Sequence, residues 1–215
     1  EVIQRVLNEA SRQTPARVIF ERGEYRIDPG EAKILIKLEG VNDLTIDGDG
    51  STIILTRPSA IANFTRCSRI MLERFTFDYE PMVYTAAKVV SVDPAGGTME
   101  GEILPVHPLP DEFKPYDLER LGMVVTESEG FAIKRGADLL VAHAGFQRVK
   151  GRLFRFRFEP AGKAASFAPG DTYVLDPRWY DEAGRACINF FGGDDAVLSE
   201  LTIRGAANEC LTAFY

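Results

Sequence analysis

At the start of the chain the apolar positions follow a helical spacing. Val2, Ile3, Val6, Leu7 and Ala10 recur at i, i+4 steps, and the segment Thr14-Pro15-Ala16 stops the pattern. One short amphipathic helix is predicted there. Beyond it the period falls to two. The segments RVIF, YRI, ILIKL, LTI, TIIL and IMLERFTF are rich in Val, Ile, Leu and Phe, lie a few residues apart and are separated by Gly, Asp and Asn. They read as short strands.

One spacing recurs three times: apolar-x-apolar, five residues, apolar-x-apolar. Ile36 and Leu38 lead to Leu44 and Ile46; Ala62 and Phe64 lead to Ile70 and Leu72; Ile188 and Phe190 lead to Ala196 and Leu198. A further pair follows each time, Ile53 and Leu55, Phe75 and Phe77, Leu201 and Ile203. This predicts three short strands per repeat, with alternate residues pointing inward. From Leu38 to Phe64 is 26 residues, a plausible length for one coil of a parallel β-helix, whose coils stack and bury a continuous core. From Phe64 to Phe190 is 126, so an insertion of roughly a hundred residues is expected in that coil. Leu211 and Ala213 then resume the rhythm as an apolar strand. A solenoid needs a polar or capped last repeat, so these coils are expected to be the N-terminal part of a longer one.

The expected insertion, residues 81–177, differs in texture from the coils at 1–80 and 178–215. AAKVVSVDPAGGTMEGEIL reads as a hairpin over a Pro/Gly turn. RLFRFRFEP alternates Phe154, Phe156 and Phe158 with Arg155 and Arg157, and FAPGDTYVLDP adds another turn and strand. Together they predict a small antiparallel barrel or sandwich.

These residues carry a resemblance. ARVIFERGEYRI after a short helix, followed by VNDLTIDGDGSTIIL, looks like the opening of the pectin-lyase-like right-handed parallel β-helix proteins, in which the helix caps the open end. LERFTFDYEPMVYTAAKVVSVD, a strand ending in Asp-Tyr, a Pro and a departure into β structure, is similar to the family 110 glycoside hydrolases. Those enzymes are α-1,3-galactosidases with a β-barrel inserted in the β-helix. The resemblance implies an all-β, right-handed parallel β-helix with a short N-terminal capping helix and an inserted antiparallel β-barrel-like subdomain. It further implies a poly- or oligosaccharide substrate, no cofactor, and a secreted or periplasmic location.

Composition narrows the partners. A net charge of -7, with no Lys/Arg run, counts against nucleic acid or an anionic membrane as partner. No apolar stretch approaches the roughly 20 residues a membrane helix needs. The segment EVIQRVLNEASRQ is too polar for a secretory signal, so either the protein is cytoplasmic or a signal lies further upstream. Cys67, Cys187 and Cys210 form no close-spaced metal or redox motif and read as buried small apolar residues.

Candidate chemistry is sparse. Asp194 and Asp195, in GGDD, occupy the repeat positions held by Asn42 and Asp43, and by Ser68 and Arg69, in the earlier coils. Those are turn positions, where Gly supplies positive φ and Asp accepts local N–H bonds. The same pair is also the candidate for a catalytic carboxylate couple, in which one acid has its pKa raised by its neighbour. Asp47 and Asp49 in IDGDGST lack the six or more oxygens calcium takes and read as a turn, so no metal site is expected. His107 and His143 have no nucleophile or metal-ligand spacing nearby. Arg178, Trp179 and Tyr180 offer aromatic faces beside a cation and are the candidate sugar-binding residues; the alternative is that Trp179 packs the insertion against the solenoid.

Three functions follow. A glycoside hydrolase would cut an α-linked galactoside or related sugar with two carboxyl groups and a water. A polysaccharide lyase would abstract a proton beside a uronate carboxylate, a polyanion that the acidic net charge disfavours. A non-catalytic adhesin or scaffold would need neither. By resemblance the hydrolase leads, its working acids are expected in later coils, and these 215 residues alone are expected to lack turnover.

Overall fold

The helix predicted at the start of the chain forms over Val2–Ala10 (α1). Leu7 is fully buried, while Val2 and Val6 remain 66% and 39% exposed, so only part of the apolar stripe is covered. The computed structural model describes residues 2–57, 59–80, 82, 84–112, 123–126, 141–175, 186–205 and 209–214. The chain is mostly β and divides into two units, residues 1–83 with 179–215, and residues 84–178. Among the described residues no helix is long and apolar enough to cross a membrane.

In the first unit α1 leads to β1 (Ala16–Ile19), β2 (Glu24–Ile27), β3 (Ile34–Glu39), β4 (Asn42–Leu55) and β5 (Ala60–Tyr79). The second unit supplies β6 (Thr85–Asp93), β7 (Thr98–Ile103), β8 (Met123–Thr126), β9 (His143–Lys150), β10 (Leu153–Phe158) and β11 (Thr172–Leu175). The chain then returns to the first unit as β12 (Ala186–Asp194), β13 (Val197–Ser199), β14 (Thr202–Ile203) and β15 (Glu209–Phe214).

Every strand pair in the first unit is parallel, in the order β1, β4, β5, β12, β15. Here β2 also joins β4, and β3, β13 and β14 also join β5. Register follows the apolar repeat. Leu38 lies beside Phe64, Phe64 beside Phe190, and Phe190 beside Ala213. Ile46 lies beside Leu72, and Leu72 beside Leu198. The Phe64 and Phe190 rings stack at 4.9 Å and 22°, and Phe64 is fully buried.

The third strand of the repeat departs from the expected alignment. Ile53 pairs with Phe77, and Ser51, rather than Ile53, sits beside Phe75. The register shifts between Asp47 and Ser51, where Gly48, Asp49 and Gly50 face Arg74 alone and add two residues to that pass. A bulge of this kind lengthens one strand without turning its inward residues out, because two is the period of the pleat.

At the free edge of β3 the Gln4 side chain substitutes for a strand. Its amide donates to the Lys37 carbonyl at 2.6 Å and accepts from the Lys37 N–H at 2.8 Å. Both backbone groups of an edge residue are thereby satisfied.

The second unit is a six-stranded antiparallel sheet, ordered β8, β11, β6, β7, β10, β9. The β6–β7 hairpin turns over the Pro94–Gly97 region, as its Pro/Gly composition predicts. In β10 the alternation reads directly as burial. Phe154, Phe156 and Phe158 pack into a core with Met99, Phe167 and Tyr173, while Arg155 points out to Glu100 on β7 at 2.6 Å.

Phe64→Ala is expected to lower unfolding free energy by roughly 3–5 kcal/mol, since a buried ring and its stack on Phe190 are lost together. Urea denaturation against the wild type checks this; a loss below about 1 kcal/mol would mean that the site is not a closed core.

Candidate carboxylate site

The corners between parallel strands are residues in the left-handed region, and they line up from pass to pass. Gly40, Arg66 and Gly192 have φ of 64°, 52° and 68°. Asp43, Arg69 and Asp195 have 56°, 52° and 51°, and each follows a residue of the matched set Asn42, Ser68 and Asp194. Asp49, Arg74 and Glu200 have 48°, 60° and 50°. Thus all three corners of β5 are arginines, and the corners above and below them are glycine or acidic.

Gly193 is demanded by a close approach as well as by its φ of 104°, because a Cβ there would lie 1.9 Å from the Cys67 carbonyl oxygen. The GGDD segment is therefore fixed by backbone geometry at its second glycine and by a corner at its second aspartate.

Asp194 closes β12 and Asp195 is the corner residue; both are exposed. Beside them is an opening of about 290 Å³ walled by Phe190, Leu198, Leu211 and Ala213. Arg69 donates two hydrogen bonds to Asp43, at 2.5 and 2.8 Å. Those bonds hold the Asp43 carboxyl below its ordinary value and raise the guanidinium above its own, with the charges of Asp194 and Asp195 adding to the latter. The aspartate pair thus flanks an arginine already committed to the neighbouring pass.

The sequence did not single out the densest charged cluster. Asp47, read as part of a Gly-rich turn, is fully buried and takes bonds from Arg74 at 2.5 and 2.8 Å, from Arg17, and from the Asp49 N–H at 2.9 Å. The Arg74 bonds first, then the Asp49 amide and Arg17, hold its carboxyl far below the usual carboxylate range against the opposing cost of burial. Arg17 also reaches Glu73 at 2.8 Å, and Arg74 reaches Asp49 at 3.0 Å. Every charge in this cluster has a partner, which marks it as structural. Register alone brings it together, so the residues 27 and 30 positions away gave no local signal.

Of the other sequence candidates, His107 is half-buried beside Tyr84, with ring centroids 5.3 Å apart, and burial lowers its pKa. His143 is buried between Phe146 and Phe156, at 5.8 and 5.9 Å, and neither ring nitrogen has a hydrogen-bond partner among the described residues. Burial pushes its imidazole down to about 4. Cys67 and Cys187 are buried, with the Cys187 sulfur 3.5 Å from the Tyr79 hydroxyl. Arg178, Trp179 and Tyr180 lie outside the described residues. Among the described residues no group of three or more His, Cys, Asp or Glu is placed to hold a metal ion. No family model matches the chain, and no curated protein matches it.

Two pH effects follow, in separate windows. Asp47 has a depressed folded-state pKa, so its contribution to stability is complete above about pH 4 and fades as the pH falls through the folded value. Asp47→Asn is expected to lower the urea midpoint at pH 7 and to flatten the loss of stability below pH 4 relative to wild type. A parallel pH profile for the two proteins would contradict this. His143 acts higher. Its folded pKa of about 4 lies below the unfolded value near 6.5, so the unfolded chain takes the proton first as pH falls. Stability of the second unit should drop by about 3 kcal/mol between pH 6.5 and 4, and His143→Leu should remove that slope.

Proposed function

We propose that the chain belongs to a carbohydrate-active protein built as a right-handed parallel β-helix with an inserted antiparallel β-barrel. Its proposed activity is hydrolysis of an α-linked galactoside or related glycan, outside the cytoplasm. The observation that carries this reading is an interrupted parallel ladder. β5 ends at Tyr79, an antiparallel unit follows, and β12 then pairs with β5 again, with Phe190 beside Phe64. Stacked parallel passes offer an extended surface of repeated side-chain columns, which suits a polymer of repeated sugars. Arg178, Trp179 and Tyr180 remain the proposed sugar contacts.

In this reading the Asp194–Asp195 corner supplies at most one of the two catalytic carboxyls. Inverting hydrolases hold theirs about 6.5–9.5 Å apart with a water between, whereas these two belong to one turn. Asp43, in the same column, is already held by Arg69. The charge column itself favours a second reading, a non-catalytic scaffold, because it gives Asp195 a structural reason to be acidic.

Incubating the whole protein with α-1,3-linked galactobiose, and separately with polygalacturonate, distinguishes the readings. Release of galactose is expected. An unsaturated uronate product, seen by ultraviolet absorbance, would make the protein a lyase, and the absence of both products would leave the scaffold. Asp194→Asn and Asp195→Asn are each expected to lower galactose release by less than about tenfold, since loss of a working acid or base costs about 10²–10⁴.

A further inference from the structure

The first unit has a second concave surface, on the opening passes rather than at the Asp194 corner. A groove of about 1290 Å³ runs between α1 and the strands β2 and β3, with Phe20, the residue after β1, also in its wall. Its strand wall is the inward row of the first pass. Ile53 and Leu55, one pass later, are fully covered, but Tyr25 and Ile27 beside them stay half-buried and open into the groove. Phe20 does the same. It meets Tyr25 edge to face at 6.1 Å and is backed by Phe75 at 5.1 Å. Two aromatic rings are thereby held in fixed orientation at the floor of an open groove.

The helix side supplies polar groups that no other described residue engages. Arg5 and Glu9, four residues apart on α1, and Arg12 just beyond its end line the groove and are exposed. Their side chains make no hydrogen bond or ion pair among the described residues. This contrasts with Arg17, Arg22, Arg26, Arg57, Arg66, Arg69 and Arg74 of the same unit, all held in ion pairs. The charged lining is of mixed sign: Arg5, Arg12 and Lys37 with Glu9, Asp28 and Glu39, of which Asp28 and Glu39 are paired with Arg57 and Arg66.

A groove of interleaved positive and negative side chains offers no extended field of one sign to a polyanion or a cation. Fixed aromatic faces favour the C–H face of a pyranose, and uncommitted guanidinium and carboxylate groups favour its hydroxyls. The volume exceeds that of an ordinary small-molecule pocket, about 300–1,000 Å³, so there is room for more than one ring. We propose that this groove binds a neutral oligosaccharide. The site stands whether or not the protein hydrolyses a glycan, since its residues are distinct from the Asp194 corner.

Calorimetric titration with α-1,3-linked galactobiose, maltotriose and trigalacturonate, supported by saturation-transfer NMR, tests this. At least one neutral sugar is expected to bind. Arg5→Ala, Arg12→Ala and Tyr25→Leu are each expected to weaken that binding by about fivefold or more, while Arg157→Ala, at an exposed position of the second unit, leaves it unchanged. The two arginines are exposed, so an unaltered urea midpoint in their variants shows that any loss is local. The proposal is overturned if no neutral sugar binds, if trigalacturonate binds more tightly than both, or if binding survives in both arginine variants. Unchanged galactose release alongside weakened binding would leave the hydrolase reading intact, and the reverse outcome would separate the two in the other direction.

Discussion

The first unit depends on the alignment of its left-handed corners. A side chain other than glycine in that region costs about 1–3 kcal/mol, yet Asp43, Asp49, Arg66, Arg69, Arg74, Asp195 and Glu200 all adopt it. The parallel ladder fixes them there. If one corner moved by a single residue, every inward side chain of that strand would face solvent. Phe64 would then leave its stack with Phe190, and Leu72 its place between Ile46 and Leu198.

Charge is arranged on the same corners. Arginine occupies all three on β5, and acidic residues or glycines occupy those on either side, so neighbouring passes attract one another along their turns. Exposed pairs of this kind contribute little singly, typically under about 1 kcal/mol. Their value lies in discouraging wrong registers, where like charges would meet. Asp47 is the exception in depth. It is buried, bound by two arginines, and sits at the bulge that adds two residues to its pass.

The same economy bears on function. Charged groups spent on holding passes together are poor candidates for chemistry, and this demotes both Asp47 and Asp43. What lies outside the ion pairs among the described residues is more telling: Asp194 and Asp195, whose charges reach Arg69 only at longer range, and Arg5, Glu9 and Arg12 along the helix groove. The second unit is stabilised differently, by an aromatic core around Phe156 and Tyr173 with the buried His143 set against Phe146 and Phe156.

Much of this was legible in the order of residues. Period-two runs located the strands, the six-residue step fixed Leu38, Phe64 and Phe190 as register partners, and the Phe/Arg alternation of β10 told its two faces apart. These are local properties, because side-chain direction alternates along a strand whatever lies beyond it. The bulge at Gly48–Gly50 was not legible: an Asp-Gly repeat signals a turn but not how many residues the next pass places opposite it. Nor was the partnership of Asp47 with Arg17 and Arg74, or the half-covered state of Phe20 and Tyr25. An ion pair between residues about thirty apart, and the exposure of a residue with an apolar neighbour on only one side, arise when passes stack. The sequence by itself determined the strands of the first unit and their inward faces, but not β8 and β9 of the second; only the stacking decided which charges were paired and which aromatic rings stayed open.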